Sequence, residues 1–319
     1  MVSDVIYPLA GRRVWVAGHS GLVGQALLRR LARENCEMLT ASRVQVDLRR
    51  QAEVERWMDA ARPDAILLAA GTVGGILANS TRPTEFLYDN LTIAANVIEA
   101  ARRADTGKLL FLGSSCIYPR AAAQPIGEDA LLTGPLEPTN EAYAIAKIAG
   151  LKLTQACRAQ YGCDFISAMP TNLYGPGDNF DLESSHVLPA LLRKTHDAKQ
   201  RGEGAITVWG TGAPRREFLH VDDCADALVF LLQRYSAMEP VNVGVGEDVT
   251  IGELAELVRT AVGFAGEIRF DHTKPDGMPR KRLDVTRLRA LGWRPAIGLS
   301  DGIAETYRWF ERHEAATAA

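Results

Sequence analysis

Apolar positions in the first half of the chain come in short runs, separated by stretches in which they recur at helical spacing. The runs "RVWVAG" (13–18), "CEMLTAS" (36–42), "DAILLAA" (64–70), "GKLLFLGSS" (107–115) and "CDFISAMPTNLYG" (163–175) predict strands. Between them, "LVGQALLRRLAREN" (22–35), "RQAEVERWMDAA" (50–61), "NLTIAANVIEAARRA" (90–104) and "EAYAIAKIAGLKLTQACRAQY" (141–161) predict amphipathic helices. Strand–helix alternation of this kind predicts an α/β fold, a doubly wound parallel sheet with helices on both faces. Past about residue 175 the pattern loosens and Gly, Pro and Arg become frequent. We read residues 176–319 as a smaller C-terminal α/β lobe. The helix "DDCADALVFLLQRY" (222–235) marks a segment near 216–240 that returns to the first domain, residues 1–175.

The first predicted strand runs into its helix through "GHSGLVGQAL", with Gly18, Gly21 and Gly24 at G-x-x-G-x-x-G spacing. The first glycine allows a tight turn, the second lets backbone approach a pyrophosphate, and the third lets helix pack on strand. The pyrophosphate would lie at the helix N-terminus. Glycines alone also make ligand-free turns, but the order strand, loop, helix is the one a Rossmann dinucleotide site requires. NAD binders place an acid at the end of the second strand to hold the ribose 2′-hydroxyl. Here "TASRVQVDL" puts Ser42 and Arg43 there, and the nearest acid, Asp47, follows later. A guanidinium suits a 2′-phosphate, so the expected cofactor is NADPH/NADP.

Composition narrows the partners. The 319 residues are 47% hydrophobic and 24% charged, with a formal net charge of −3, which disfavours nucleic acid or an anionic membrane as the main partner. The N-terminal stretch lacks the order of a signal peptide, and "AILLAAGTVGGILA" is too short to span a bilayer, so the expected compartment is the cytoplasm. Five cysteines (36, 116, 157, 163, 224) without C-x-x-C spacing argue against a disulfide framework and a zinc site, and no metal is expected.

Tyr143 and Lys147, in "YAIAK", fall on one face of a predicted helix. A nearby ammonium would favour phenolate and draw the tyrosine pKa toward neutrality. Such a tyrosine donates a proton to a carbonyl oxygen as hydride arrives, and Ser114 at the preceding strand end can bond the same oxygen.

"GHSGLVG", "GSSCIYP", "YAIAK" and "MPTNLYGP" together resemble the extended short-chain dehydrogenase/reductases. Adding "EPTNEAYAIAKIAG", "PTNLYGPGDNF", "SHVLPALLR", "REFLHVDD", "KPDGMPRK" and "LDVTRL" narrows the resemblance to members acting on GDP-4-keto-6-deoxy-mannose, from about residue 12 to residue 310. It implies epimerisation at carbons 3 and 5 and NADPH-dependent reduction at carbon 4, giving GDP-L-fucose. The alternative is a related GDP-sugar epimerase/reductase, such as one leading to GDP-L-colitose. The resemblance also implies a homodimer, paired through the helix carrying the tyrosine and its neighbour.

Epimerisation beside a ketone needs a base for the α-proton and an acid on the opposite face. Cys116 follows Ser114 by two, which in an extended strand end would turn both side chains to one side, and a thiolate beside positive charge is a competent base. His186, in "ESSHVLPALL", titrates near neutrality. In the resembling family the matching cysteine is the base and the matching histidine the acid. Dehydratase relatives carry an Asp–Glu pair where this chain has Ser115 and Cys116, which cannot do that work.

Arg216 offers a bidentate contact to phosphate and Trp209 a wall for a flat base. Lys194, Asn172, Asp276 and Lys281 complete the substrate residues that the resemblance implies. Around the cofactor it implies Gly18, Ser20, Gly21, Leu22, Val23, Gly24, Arg43, Asp47, Leu48, Ala70, Tyr143, Lys147, Pro170, Asn172, Leu173 and His186. Relatives often carry arginine at the place of Ser20, which leaves Arg43 more of the 2′-phosphate contact.

Overall fold

A computed structural model describes residues 4–274 and 276–318. Its first half comprises β1 (Arg13–Ala17), α1 (Leu22–Leu31), β2 (Glu37–Leu39), α2 (Gln51–Ala61), β3 (Ala65–Leu68), α3 (Ile76–Thr81), α4 (Pro83–Arg103), β4 (Lys108–Leu112), α5 (Glu141–Tyr161) and β5 (Phe165–Pro170). There follow β6 (Asn172–Tyr174), α6 (Val187–Gln200), β7 (Ala205–Trp209), β8 (Arg215–Arg216), β9 (Phe218–His220), α7 (Val221–Arg234), β10 (Val241–Val243), β11 (Val249–Thr250), α8 (Ile251–Val262), β12 (Glu267–Asp271), β13 (Arg280–Lys281), α9 (Thr286–Ala290) and α10 (Leu299–Ala318).

The main sheet is parallel throughout, in the order β10-β5-β4-β3-β1-β2. Apart from the exposed edge strand β2, its strands are buried on both faces, as continuous apolar runs require. Val14, Val16 and Leu110 point into one core with α1 and α7, while Trp15, Leu109 and Phe111 point into another with α2, α4 and α5. The strand order reverses at β1, with β2 laid on one side of it and β3 on the other, so the C-terminal edge of β1 is a topological switch point, where such sheets bind ligands. A third core, including Leu188, Leu192, Leu254, Val258, Ile303 and Phe310, holds α6, α8 and α10 together as the second lobe.

Three boundaries differ from the sequence expectation. The run 163–175 is two strands: β5 pairs with β4, whereas β6 leaves the sheet after Thr171 and pairs with β9. The helix expected from 90 begins at Pro83, a residue suited to a first helical turn, and buries Phe86. The returning segment extends beyond 216–240: β10 completes the main sheet, and Leu288 and Trp293 join its core. No helix among the described residues is long and apolar enough to cross a membrane.

Candidate active site

The glycine loop lies at the switch point, and each glycine has its own reason. Gly18 has φ +92°, and a Cβ there would stand 2.6 Å from the Ala70 backbone at the end of β3. A Cβ on Gly24 would run into the Gly18 carbonyl, so α1 can approach the loop only with glycine there. Gly21 is different: it is the N-cap of α1, with φ −79°, and the nearest atom to an added Cβ is the Gly18 oxygen at 3.6 Å. Nothing in the protein demands glycine at that point, which fits a ligand approaching from outside. Leu22 and Val23 open α1 directly behind it.

The adenosine end also fits a phosphorylated ribose. Asp47 is committed to Arg49, which bonds both its oxygens at 3.0 and 2.7 Å, and that pairing first of all holds its carboxyl down to about 2. Arg49 reaches on to Asp89 at 3.3 Å, and Asp89 accepts the Thr72 hydroxyl at 2.9 Å. Asp47 therefore offers no free carboxylate to a 2′-hydroxyl, while Arg43, whose charge acts on Asp47, and Ser20 in the glycine loop are both exposed. Leu48 accepts an amide hydrogen of Asn96 through its carbonyl. Pro170 ends β5, and Asn172 and Leu173 lie on β6; the Asn172 amide donates to the Glu217 carbonyl at 2.8 Å.

Ser114 and Cys116 come together differently from the sequence expectation. The strand stops at Leu112, and Ser115–Ile117 form a 3-10 turn capped by Ser114, whose Oγ accepts the Cys116 N–H at 3.2 Å. A turn, not strand alternation, gathers the two side chains. Tyr143 and Lys147 are buried on α5. Lys147 donates to the Leu112 carbonyl at 2.9 Å, and its Nζ lies 5.7 Å from the Tyr143 ring centroid. The phenol is not drawn toward neutrality: burial raises it, Cys116 adds to the rise, and the Ser114 hydroxyl opposes it. Burial also brings Lys147 down to about 8. In the free protein desolvation sets the direction for both groups, and the Tyr143 phenol holds its proton.

Cys116 is half-buried, and two donors aim at its sulfur: the Asn140 amide at 3.3 Å and Lys281 Nζ at 3.6 Å. Lys281, read from sequence as a substrate contact, thus donates to this sulfur. It is held there by pairing of β13 with β8, which sets Lys281 opposite Arg216, and by Glu217. That fully buried carboxylate accepts backbone N–H groups of Val245, Gly246 and Leu283. His186 caps α6 and is open to solvent, yet surrounding protein lowers its pKa by desolvation, with Lys281 adding to the fall. Its imidazolium is accordingly a stronger acid than an unhindered one.

The remaining substrate candidates lie on the second lobe. Lys194, on α6, places Nζ 5.6 Å from the ring centroid of Trp209, which is 62% exposed at the end of β7. Arg216 is anchored by the Met278 and Arg215 carbonyls, and burial lowers its pKa. Asp276 is already used: it accepts the Thr211 N–H at 2.9 Å and hydroxyl at 2.7 Å, strapping its loop beside Trp209. Sequence reading missed Asn140 and Glu217. Asn140 stands just before the tyrosine helix in the quoted "EPTNEAYAIAK", where an N-cap role would have hidden its contact with sulfur. Among the described residues no three His, Cys, Asp or Glu side chains gather as a metal site would need.

With this geometry in view, the comparisons are specific. Residues 14–249 match the NAD dependent epimerase/dehydratase family, and the chain belongs to that family. It is 59% identical over 305 residues, 96% of this chain and 97% of the relative, to "GDP-L-fucose synthase" of Sinorhizobium fredii. It is 37% identical over 300 residues, 93% of this chain and 97% of the relative, to "GDP-L-colitose synthase" of Yersinia pseudotuberculosis. Among solved structures, a "gdp-l-fucose synthetase from Naegleria fowleri bound to NADP" superposes with a TM-score of 0.90 at 29% identity, covering 99% of each chain.

Proposed function

We propose that this protein converts GDP-4-keto-6-deoxy-mannose to GDP-L-fucose, by epimerising carbons 3 and 5 and reducing carbon 4 with NADPH. The observation that carries the reading is the Cys116 sulfur, flanked by Asn140 and Lys281 beside the Ser114–Tyr143–Lys147 set. A plain reductase needs the second group and has no use for the first. The 59% identity to a GDP-L-fucose synthase, against 37% to a GDP-L-colitose synthase, favours the 6-deoxy over the 3,6-dideoxy sugar.

Cys116 takes the α-proton next to the ketone, and the electron pair moves onto the ketone oxygen. Ser114 and Tyr143 hydroxyls stabilise that oxygen as an enolate. His186 returns a proton to the opposite face of the carbon, and exchange with solvent resets the thiol and imidazole. NADPH, when bound at the glycine loop, would supply the hydride for carbon 4. Tyr143, held protonated by burial, gives its proton to the oxygen, and Lys147 fixes the Leu112 carbonyl behind it. Arg216, Lys194 and Trp209 receive the diphosphate and base in this reading, supported by their position on the second lobe.

Product analysis after incubation with NADPH and the keto sugar tests the reading. GDP-L-fucose, with solvent deuterium at carbons 3 and 5, is the expected result, and NADH is expected to serve less well. Turnover without deuterium incorporation would reduce the protein to a reductase.

The assembly we propose is a homodimer. Tyr88, Leu91 and Ile145 are exposed large apolar side chains on the paired helices α4 and α5. Light scattering should therefore give about twice the chain mass of 34.7 kDa; a monomer at micromolar concentration would refute the pairing.

A further inference from the structure

The loop between β3 and α3 lies between the two halves of the chemistry. At one end, a Cβ on Gly71 would lie 3.6 Å from Lys147 Nζ. At the other, the Gly75 N–H donates to the Ser184 carbonyl at 2.8 Å, two residues before His186. Gly75 has φ −67° and ψ −177°, a conformation any residue can adopt, so torsion does not require glycine there. Close approach does. An added Cβ would stand 2.5 Å from the carbonyl oxygen of Ser185, the residue that carries His186. The seat is braced from behind by Asn79, buried, whose amide donates to the carbonyls of Gly74 at 2.7 Å and Gly75 at 3.0 Å. A Cβ on Gly74 would meet Phe86 at 3.3 Å, and Phe86 sits edge-on to Tyr143. On the other side the segment is tied into itself: Asp181 accepts the Ser184 N–H and hydroxyl, and Asn179 donates to the same hydroxyl.

We propose that Gly75, braced by Asn79, is a positioning residue for epimerisation. It sets the backbone of Ser184 and Ser185, and through it the distance of the His186 ring from the sugar. This rests on the assignment of His186 as the proton donor. Backbone cannot yield by rotating as a flexible side chain would, so an added methyl must move the stretch entering α6.

The test is deuterium incorporation from solvent into carbons 3 and 5 of the keto sugar, with NADP in place of NADPH so that no reduction follows. Gly75→Ala is expected to lower exchange by about 10²-fold, the order reached when a catalytic group is misplaced by about 1 Å. KM and reduction of the already epimerised keto sugar are expected to stay near their normal values. Gly75→Ala in a His186→Gln background should exchange no more slowly than His186→Gln alone, because both changes remove one function. Normal exchange in Gly75→Ala, or losses that add in the double variant, would overturn the proposal. Normal exchange in His186→Gln would instead bring down the assignment of His186 and the proposal with it. If Gly75→Ala does not unfold cooperatively, Asn79→Ala takes its place, with the same non-additivity expected and additive losses again overturning it.

Discussion

A Cys116→Ser variant is expected to bind NADPH and reduce the already epimerised keto sugar, yet to exchange deuterium at carbons 3 and 5 about 10²–10⁴ times more slowly. The substitution keeps nearly all the geometry. An oxygen in place of sulfur still accepts from the Asn140 amide and from Lys281, so the turn after β4 and the β13 strand keep their contacts. What changes is proton affinity and polarisability. A thiol ionises in a range that a base of enzymatic use can reach; an aliphatic hydroxyl does not. Reduction calls on Ser114, Tyr143 and Lys147, none of which uses the sulfur directly. Both activities falling together would mean that the sulfur supports the whole site; undiminished exchange would remove it as the base.

Part of this site was legible because its residues lie in local patterns. The glycine spacing and the Tyr143–Lys147 interval each fall inside one segment, and each segment's apolar period placed it on strand, loop or helix; "GSSC" reads as an extended strand end, and its turn was not legible. The parallel sheet followed from continuous apolar runs in strands covered on both faces. Periodicity failed where one run served two sheets. Nothing in "DFISAMPTNLYG" distinguishes β5 from β6, because the run continues across both, and the separation at Thr171 depends on β9, some 45 residues further on.

What was not legible depends on contacts between distant segments. Lys281 is 165 residues from Cys116, and its place over the sulfur is set by β8, β13 and the buried Glu217. A sequence offers a lysine in a basic loop and no hint of that destination. Likewise Gly75 looks like loop punctuation until the Ser185 carbonyl is seen against it. The tyrosine is the reverse case, in which a sound local rule was outweighed. The four-residue interval does bring ammonium and phenol near each other, but both lie so deep that desolvation decides the direction for each.

Lys147 itself is expected to show a trade of stability for activity. Its pKa falls from an ordinary 10.5 to about 8 through burial, so the folded protein holds that proton less tightly than the unfolded chain does. Between about pH 8 and 10.5 the unfolded state carries a proton that the folded state has released, and stability therefore rises with pH across this window. Below pH 8 the buried ammonium costs about 3 kcal/mol, of which its bond to the Leu112 carbonyl returns about 1 kcal/mol. Lys147→Met keeps the volume and removes the charge. It should raise unfolding stability at pH 7 by about 2 kcal/mol, with the gain shrinking above pH 8. Reduction should fall by at least about 10²-fold, because the charge that supports proton donation by Tyr143 is gone. Denaturant titrations at pH 7 and pH 9.5, beside single-turnover reduction, measure both. A variant that loses activity and stability together would show Lys147 to be a structural strut, held for its bond to β4 and not for its charge.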